Sequence, residues 1–305
     1  MLDITVITCT HNPRPEFLQA TVQALSRQTL ASDRWEYLLI DNASDPAKRP
    51  DVDLTWHPHA KTMREEKLGV TPARLRGIRE SQAELLVFVD DDNVLDPDYL
   101  EQTLKVANEK FFLGSWSGQC RPRFDEPPPE WTRRYWGNLV IREFDQDIWS
   151  NLPRLAETMP CGAGLCVRRQ VARRYLNAQE GTPPPIQLDR TGDSLVSGGD
   201  NDLACSACDL GLGVGLIASL KLTHLIGARR MTVDYLARLV EGIQFSSILL
   251  DADRGIRLPE RSIQGKLLDH LRLLVSRGPH REILKAVYRG REKARMQLLR
   301  QDGRA

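Results

Sequence analysis

No stretch of this chain reaches the roughly 18 apolar residues that mark a membrane-spanning helix. The N-terminus, Met1-Leu2-Asp3-Ile4, lacks the basic region of a signal peptide and enters a strand-like run at once. Both absences predict a cytoplasmic protein. Its six cysteines, Cys9, Cys120, Cys161, Cys166, Cys205 and Cys208, are then expected to be reduced. Cys205-Ser206-Ala207-Cys208 has redox or zinc spacing, yet no second CxxC and no nearby histidine pair completes a zinc set. Plain thiols on a helix are expected there. Internal repeats and low-complexity tracts are also missing. Net charge is nearly absent, at +1, but it is unevenly spread. Arg261 to Ala305 holds 12 Lys and Arg against 4 Asp and Glu, a net of +8, which leaves −7 on the remainder. That basic tail lacks a stacking aromatic set, which argues against nucleic acid as a partner.

What is present is a chain of 305 residues, 41% hydrophobic, enough for one large domain or a domain with an appendage. Ile4–Cys9 reads as a strand broken by Thr10-His11-Asn12-Pro13. Pro15 suits the first turn of a helix with Leu18, Val22 and Leu25 on one face. Trp35–Ile40 is a second strand ending at Asp41-Asn42-Ala43-Ser44-Asp45. Pro72–Ser81 reads as a helix, Leu85–Val89 as a strand, and the residues after Pro97 as another helix. This alternation predicts an α/β fold with a mostly parallel sheet, which places Asp41 and Asp90 on one edge. Arg121–Trp136, with three consecutive prolines and two tryptophans, reads as a loop bordering a site, and residues 181–200 as a second long loop. Leu203–Leu210 is an expected helix stopped by Gly211. Val214–Leu222 is an expected strand followed by His224, and helices are expected from Thr232 onward.

The run Leu85-Leu86-Val87-Phe88-Val89 ends in Asp90-Asp91-Asp92. Acid cannot sit unpaired inside such a strand. At its carboxyl end it can hold a divalent ion and the phosphates that ion carries. A plain acidic helix start explains the triplet equally well from the residues alone. Asp90-x-Asp92-x-Val94 also fits the aspartyl nucleophile of haloacid-dehalogenase-type phosphatases. Asp90 to Glu101 has calcium-loop length, but Leu95 occupies the position that needs glycine.

Five segments in order carry a resemblance. They are Ile4–Asn12 with Leu18–Gln28, Leu39–Asp45, Gly69–Ile78, Val87–Asn93, and Ser197-Gly198-Gly199-Asp200-Asn201-Asp202-Leu203 with His224. From about residue 2 to about residue 245 the chain resembles family-2 glycosyltransferases. The resemblance implies a GT-A, Rossmann-like sheet flanked by helices over 1–245, with a basic helical extension over 246–305. It implies inverting transfer of one sugar from a nucleotide-diphosphate sugar to a hydroxyl of a glycan or lipid-linked acceptor, with Mn²⁺ or Mg²⁺. It gives Thr10 and His11 to the base or ribose, and Asp41 to the ring N–H of the base. Arg74 is given to base or phosphates, and Asp90 to ribose or metal beside Asp91. Asp92 ligates the metal, with His224 as a second candidate ligand. Arg229 and Arg230 would meet the diphosphate. Asp200 is the general base, although Gly199 stands where the family usually carries Glu. That departure leaves Asp202 as a substitute or an acceptor-binding partner, and a non-catalytic sugar-nucleotide-binding module as an alternative. Two bland readings stand beside these: Asp200 as a helix cap and Arg74 as a surface arginine. Gln297-Leu298-Leu299-Arg300 is followed by Gln301 rather than Trp, unlike the processive membrane synthases of the family.

In the tail, Leu267, Leu268, Leu271, Leu274 and Val275 share one helical face. Gly278-Pro279 breaks the pattern, and Ile283, Leu284, Val287 and Tyr288 resume it. The first stripe is expected to pack on the catalytic domain or on a second subunit. Basic amphipathic helices of this kind also lie on anionic membrane.

Overall fold

The computed structural model describes residues 2–181, 195–196, 198–256 and 262–301. The chain forms two compact units, the first holding 2–125, 140–181 and 199–226, and the second holding 126–139, 195–196, 198, 227–256 and 262–301. In the first unit the strands are β1 (Ile4–Thr10), β2 (Trp35–Asn42), β3 (Ala60–Glu65), β4 (Leu85–Phe88), β5 (Asn93–Leu95), β6 (Leu113–Phe124), β7 (Ile148–Ser150), β8 (Leu165–Arg168) and β9 (Gly213–Ile226). Its helices are α1 (Pro15–Leu25), α2 (Val70–Glu80), α3 (Tyr99–Glu109), α4 (Arg169–Gly181) and α5 (Gly199–Cys205). The strands join in one sheet of order β3-β2-β1-β4-β8-β6-β9-β5, with β7 on β9.

The half built from β3, β2, β1 and β4 is parallel throughout. Parallel strands away from the edge are covered on both faces, so β1, β2 and β4 are mainly apolar and buried on both. The alternation sorts them cleanly. Ile4, Val6, Tyr37, Leu39, Leu85 and Val87 pack on one face with Leu18 and Val22 of α1 and Leu100 of α3. Ile7, Leu38, Ile40, Leu86 and Phe88 pack on the other with Leu75 and Ile78 of α2 and Val171 of α4. Each such side chain contributes about 1.5–3 kcal/mol on burial. β8 joins β4 antiparallel, and β6 and β9 run parallel to each other beyond it, so this half of the sheet is mixed.

Several elements differ from the sequence reading. β3 is absent from it, because Ala60-Lys61-Thr62-Met63-Arg64-Glu65 is a polar edge strand with no apolar alternation. Arg121–Phe124, expected in a loop, is the end of β6, and Glu130–Leu139 winds into a 3₁₀ helix. β9 continues to Ile226 because β6 pairs along it, so His224 lies inside the strand rather than after it. α5 begins at Gly199, not Leu203, and Asp200 is therefore in its first turn rather than ahead of it. The expected loop over 181–200 falls mostly outside the described residues. None of the six cysteines is in a disulfide.

The second unit contains α6 (Val233–Asp253), α7 (Ile263–Val275), α8 (Gly278–Gln301) and the 3₁₀ segments Glu130–Leu139 and Ala228–Met231. The Thr232 hydroxyl caps α6 by accepting from the Tyr235 N–H at 3.3 Å. α6 and α8 pack through Ile248, Leu249 and Ala294. The Glu241 carboxylate accepts from Arg289 at 2.9 Å and from Lys293. The leucine stripe of α7 is exposed in the single chain. Among the described residues no helix is long and apolar enough to cross a membrane.

Candidate active site

β2, β1 and β4 deliver their carboxyl ends side by side, and the chain turns acidic at the ends of β2 and β4. After β4, Asp90-Asp91-Asp92 makes the turn into β5, whose Asn93 pairs with His224 of β9. Asn93 locks that turn from both sides. Its N–H donates to the Asp90 carbonyl at 3.0 Å, and its amide nitrogen to the Asp92 carboxylate at 2.9 Å. Asp92 is buried, with its Oδ2 3.4 Å from Nε2 of His224, also buried. Burial, followed by the charge of Asp92, pushes the Asp90 carboxyl up. The charges of Arg74, Asp200 and His224 also reach Asp90. Five sequence-predicted residues from four distant segments thus share one cluster.

Arg74 is 8% exposed on α2, which is unusual for an arginine. Burial alone would lower its pKa, but the carboxylates of Asp200 and Asp90 more than offset this and hold it up. Gly162 makes the approach of Arg74 to Asp200 feasible. Its N–H donates to Asp200 Oδ2 at 2.8 Å, and a Cβ there would sit 2.9 Å from Arg74 Nη2 and 3.1 Å from that Oδ2. Gly199 opens a second gap, where a Cβ would stand 3.0 Å from Thr71 Oγ1 and 3.7 Å from Arg74 Nη1. Asp202 instead accepts from Gln179 of α4 at 3.2 Å. Cys9 lies near the same charges, and burial pushes its thiol up to about 12, so it stays protonated at neutral pH.

Along the sheet edge, Thr10 donates its hydroxyl to Asp91. His11 Nδ1 is 2.8 Å from the carbonyl of Asn42. The Asn42 side chain ties β2 to the start of α2 by accepting from the Gly69 N–H at 2.8 Å. Asp41 is buried and already partnered, accepting from Arg64 at 2.5 Å and from the Ser44 N–H at 3.2 Å. Burial opposes its ionisation, yet the hydrogen bonds from Ser44 and Arg64 win and hold its carboxyl below the usual range. Arg64, Asn93, Asn42 and Gly162 were not legible as site residues. Arg64 reaches Asp41 through the β2–β3 register, which pairs the two positions, and the sequence reading had no β3. Arg229 and Arg230 sit in the 3₁₀ segment Ala228–Met231 of the second unit.

The donor set suits a hard divalent cation. Among the described residues no group of three or more His, Cys, Asp or Glu is placed to hold an ion unaided. Mg²⁺ and its relatives need no such group, since they take one or two carboxylates and fill the shell with phosphate and water. Asp92 and Asp90, with His224 beside them, fit that manner of binding.

The sequence model of glycosyl transferase family 2 matches residues 5–175, and the chain belongs to that family. This settles the choice against the phosphatase reading of Asp90, which lies inside the match. The putative glycosyltransferase EpsH of Bacillus subtilis strain 168 is 27% identical over 97 residues, 31% of this chain. The matched stretch spans only 27% of the length of EpsH. The crystal structure of S. aureus TarS superposes with a TM-score of 0.51 at 12% identity, over 96% of this chain and 55% of that one. The structure of TarS 1–349 gives a TM-score of 0.49 at 12% identity, over 97% and 92%. The likeness at a TM-score of 0.51 speaks for the fold, an α/β sheet flanked by helices of GT-A type.

Proposed function

We propose that the chain is an inverting, metal-dependent glycosyltransferase. It moves one sugar from a nucleotide-diphosphate sugar to a hydroxyl acceptor, a glycan or a lipid-linked sugar. The observation that carries this reading is the cluster around Asp90, where Asp92, Arg74, Asp200 and His224 all bear on one carboxyl group. Residues 1–245 form the catalytic domain in this reading, and 246–305 an extension.

The step is an in-line displacement. The acceptor oxygen attacks the anomeric carbon and gives its proton to the Asp200 carboxylate, which the Gly162 N–H holds in place. The bond from the anomeric carbon to the diphosphate oxygen breaks, and its electron pair departs on the nucleoside diphosphate. Asp92, Asp90 and His224 are the residues that would hold a Mn²⁺ or Mg²⁺ ion, which supplies charge neutralisation for the leaving group. Arg74 adds its guanidinium on the phosphate side. Asp41 and the Thr10-His11 turn hold the base and ribose.

Asp200→Asn keeps the size of the side chain and removes the base. Turnover should fall about 10²–10⁴-fold, the weight of a positioned general base, with donor affinity nearly unchanged. Full turnover in that variant overturns the assignment of Asp200. Donor binding by the wild type without any sugar transfer across an acceptor panel would favour the binding-module reading, for which Gly199 is the motive.

A further inference from the structure

Helix α7 is oriented against the rule for a helix in water. Leu267, Leu268, Leu271, Leu274 and Val275 are 59, 53, 48, 61 and 77% exposed. An acid lies on the side turned in. Asp269 is 7% exposed and accepts from the Tyr288 hydroxyl of α8 at 2.9 Å. With successive residues about 100° apart, the five apolar side chains cover one arc of roughly 120°. His270 and Arg272 fall at its two margins. Single exposed leucines need no explanation, but a contiguous apolar arc on a helix does.

Charge selects what covers it. Residues 261–305 carry 12 Lys and Arg against 4 Asp and Glu. Arg272 keeps 66% of its side chain exposed, and Arg277 and Arg281 are exposed beyond the end of the helix. Two copies of this face brought together would set like charge against like charge. An anionic bilayer complements it in both respects, since acyl chains take the leucines and headgroups take the arginines. We propose that α7 lies in the headgroup layer of an anionic lipid membrane, with Leu267, Leu268, Leu271, Leu274 and Val275 in the acyl boundary. The inference rests on α7 alone and stands apart from the reading of the acidic cluster.

The test is sedimentation of the full chain with phosphatidylcholine vesicles and with mixed phosphatidylcholine–phosphatidylglycerol vesicles, at low and high salt. The expected result is binding to the mixed vesicles only, weakening as salt rises. The double variant Leu271→Asp/Leu274→Asp changes exposed side chains, so it should keep the wild-type melting temperature and lose affinity about tenfold or more. Absence of wild-type binding to the mixed vesicles overturns the proposal, as does equal binding by the double variant. Sedimentation equilibrium closes the remaining route. A wild-type dimer that the double variant converts to monomer means a second copy covers the face, and the membrane reading fails.

Discussion

At the scale of single residues, Asp41 is the most constrained acid of the site that lies outside the central cluster. Its carboxylate is buried, and Arg64 and Ser44 keep it ionised. Its folded pKa lies below the unfolded value of about 3.9, so its contribution to stability is complete above that value. The contribution drains away as pH falls through the folded pKa. Arg64→Leu removes one hydrogen-bond partner and leaves Asp41 buried beside an apolar group. The variant should unfold at lower urea concentration than wild type at pH 7. The gap between the two should narrow as the pH falls toward the lowered folded pKa of Asp41, and close below it, where the acid is protonated in both. Urea titrations along a pH series read this directly, and a gap independent of pH would remove Asp41 as its source. Asp41 itself was readable from its place after an apolar strand. Arg64 was not, because a long-range register, not a local pattern, brings it there.

At the scale of elements, the sequence was most legible where burial is two-sided. β1, β2, β4, α1 and α3 are apolar runs or helical stripes with clear breakers at their ends, and the structure places them within a few residues of the reading. β3 escaped because an edge strand has no need of apolar residues. β6 and β9 were missed or shortened because a bulge between Ser117 and Gln119 shifts their register partway along. Helix packing carries a further element-scale consequence at Gly290. An added Cβ would sit 2.4 Å from the Glu241 carbonyl oxygen and 3.1 Å from Gln244 Cβ. The contact is with backbone of α6, so the two helices must separate. Gly290→Ala gains about 1 kcal/mol of helix propensity. It loses about 1–3 kcal/mol to overpacking. The net expectation is destabilisation seen in a calorimetric or urea melt, although the same change on a free helix face would stabilise. A stabilised variant would show that α6 and α8 do not approach this closely.

At the scale of the molecule, the −7 carried by the chain ahead of its basic tail includes three carboxylates that repel one another in the cluster. Burial first, then Asp92 and Asp200, raise the Asp90 pKa against the pull of Arg74 and His224, so the folded state keeps the carboxyl groups together at a cost. A site of this kind trades stability for a cation and its phosphate ligand. Mn²⁺ should therefore raise the melting temperature, and a nucleoside diphosphate should raise it further only when Mn²⁺ is present. Saturation at 100 times Kd contributes about 2.7 kcal/mol, a shift of about 4 °C in a chain of this size. Asp92→Asn should move two quantities in opposite directions. The metal-free protein should melt higher, because one repelling charge is gone, and the Mn²⁺-dependent shift should vanish. Removing the ion with EDTA should return wild type, but not the variant, to a lower melting temperature. A merely structural Asp92 would lower the metal-free melting temperature on substitution and leave the ion-dependent increment intact, so the two signs together decide whether this carboxylate holds the cation.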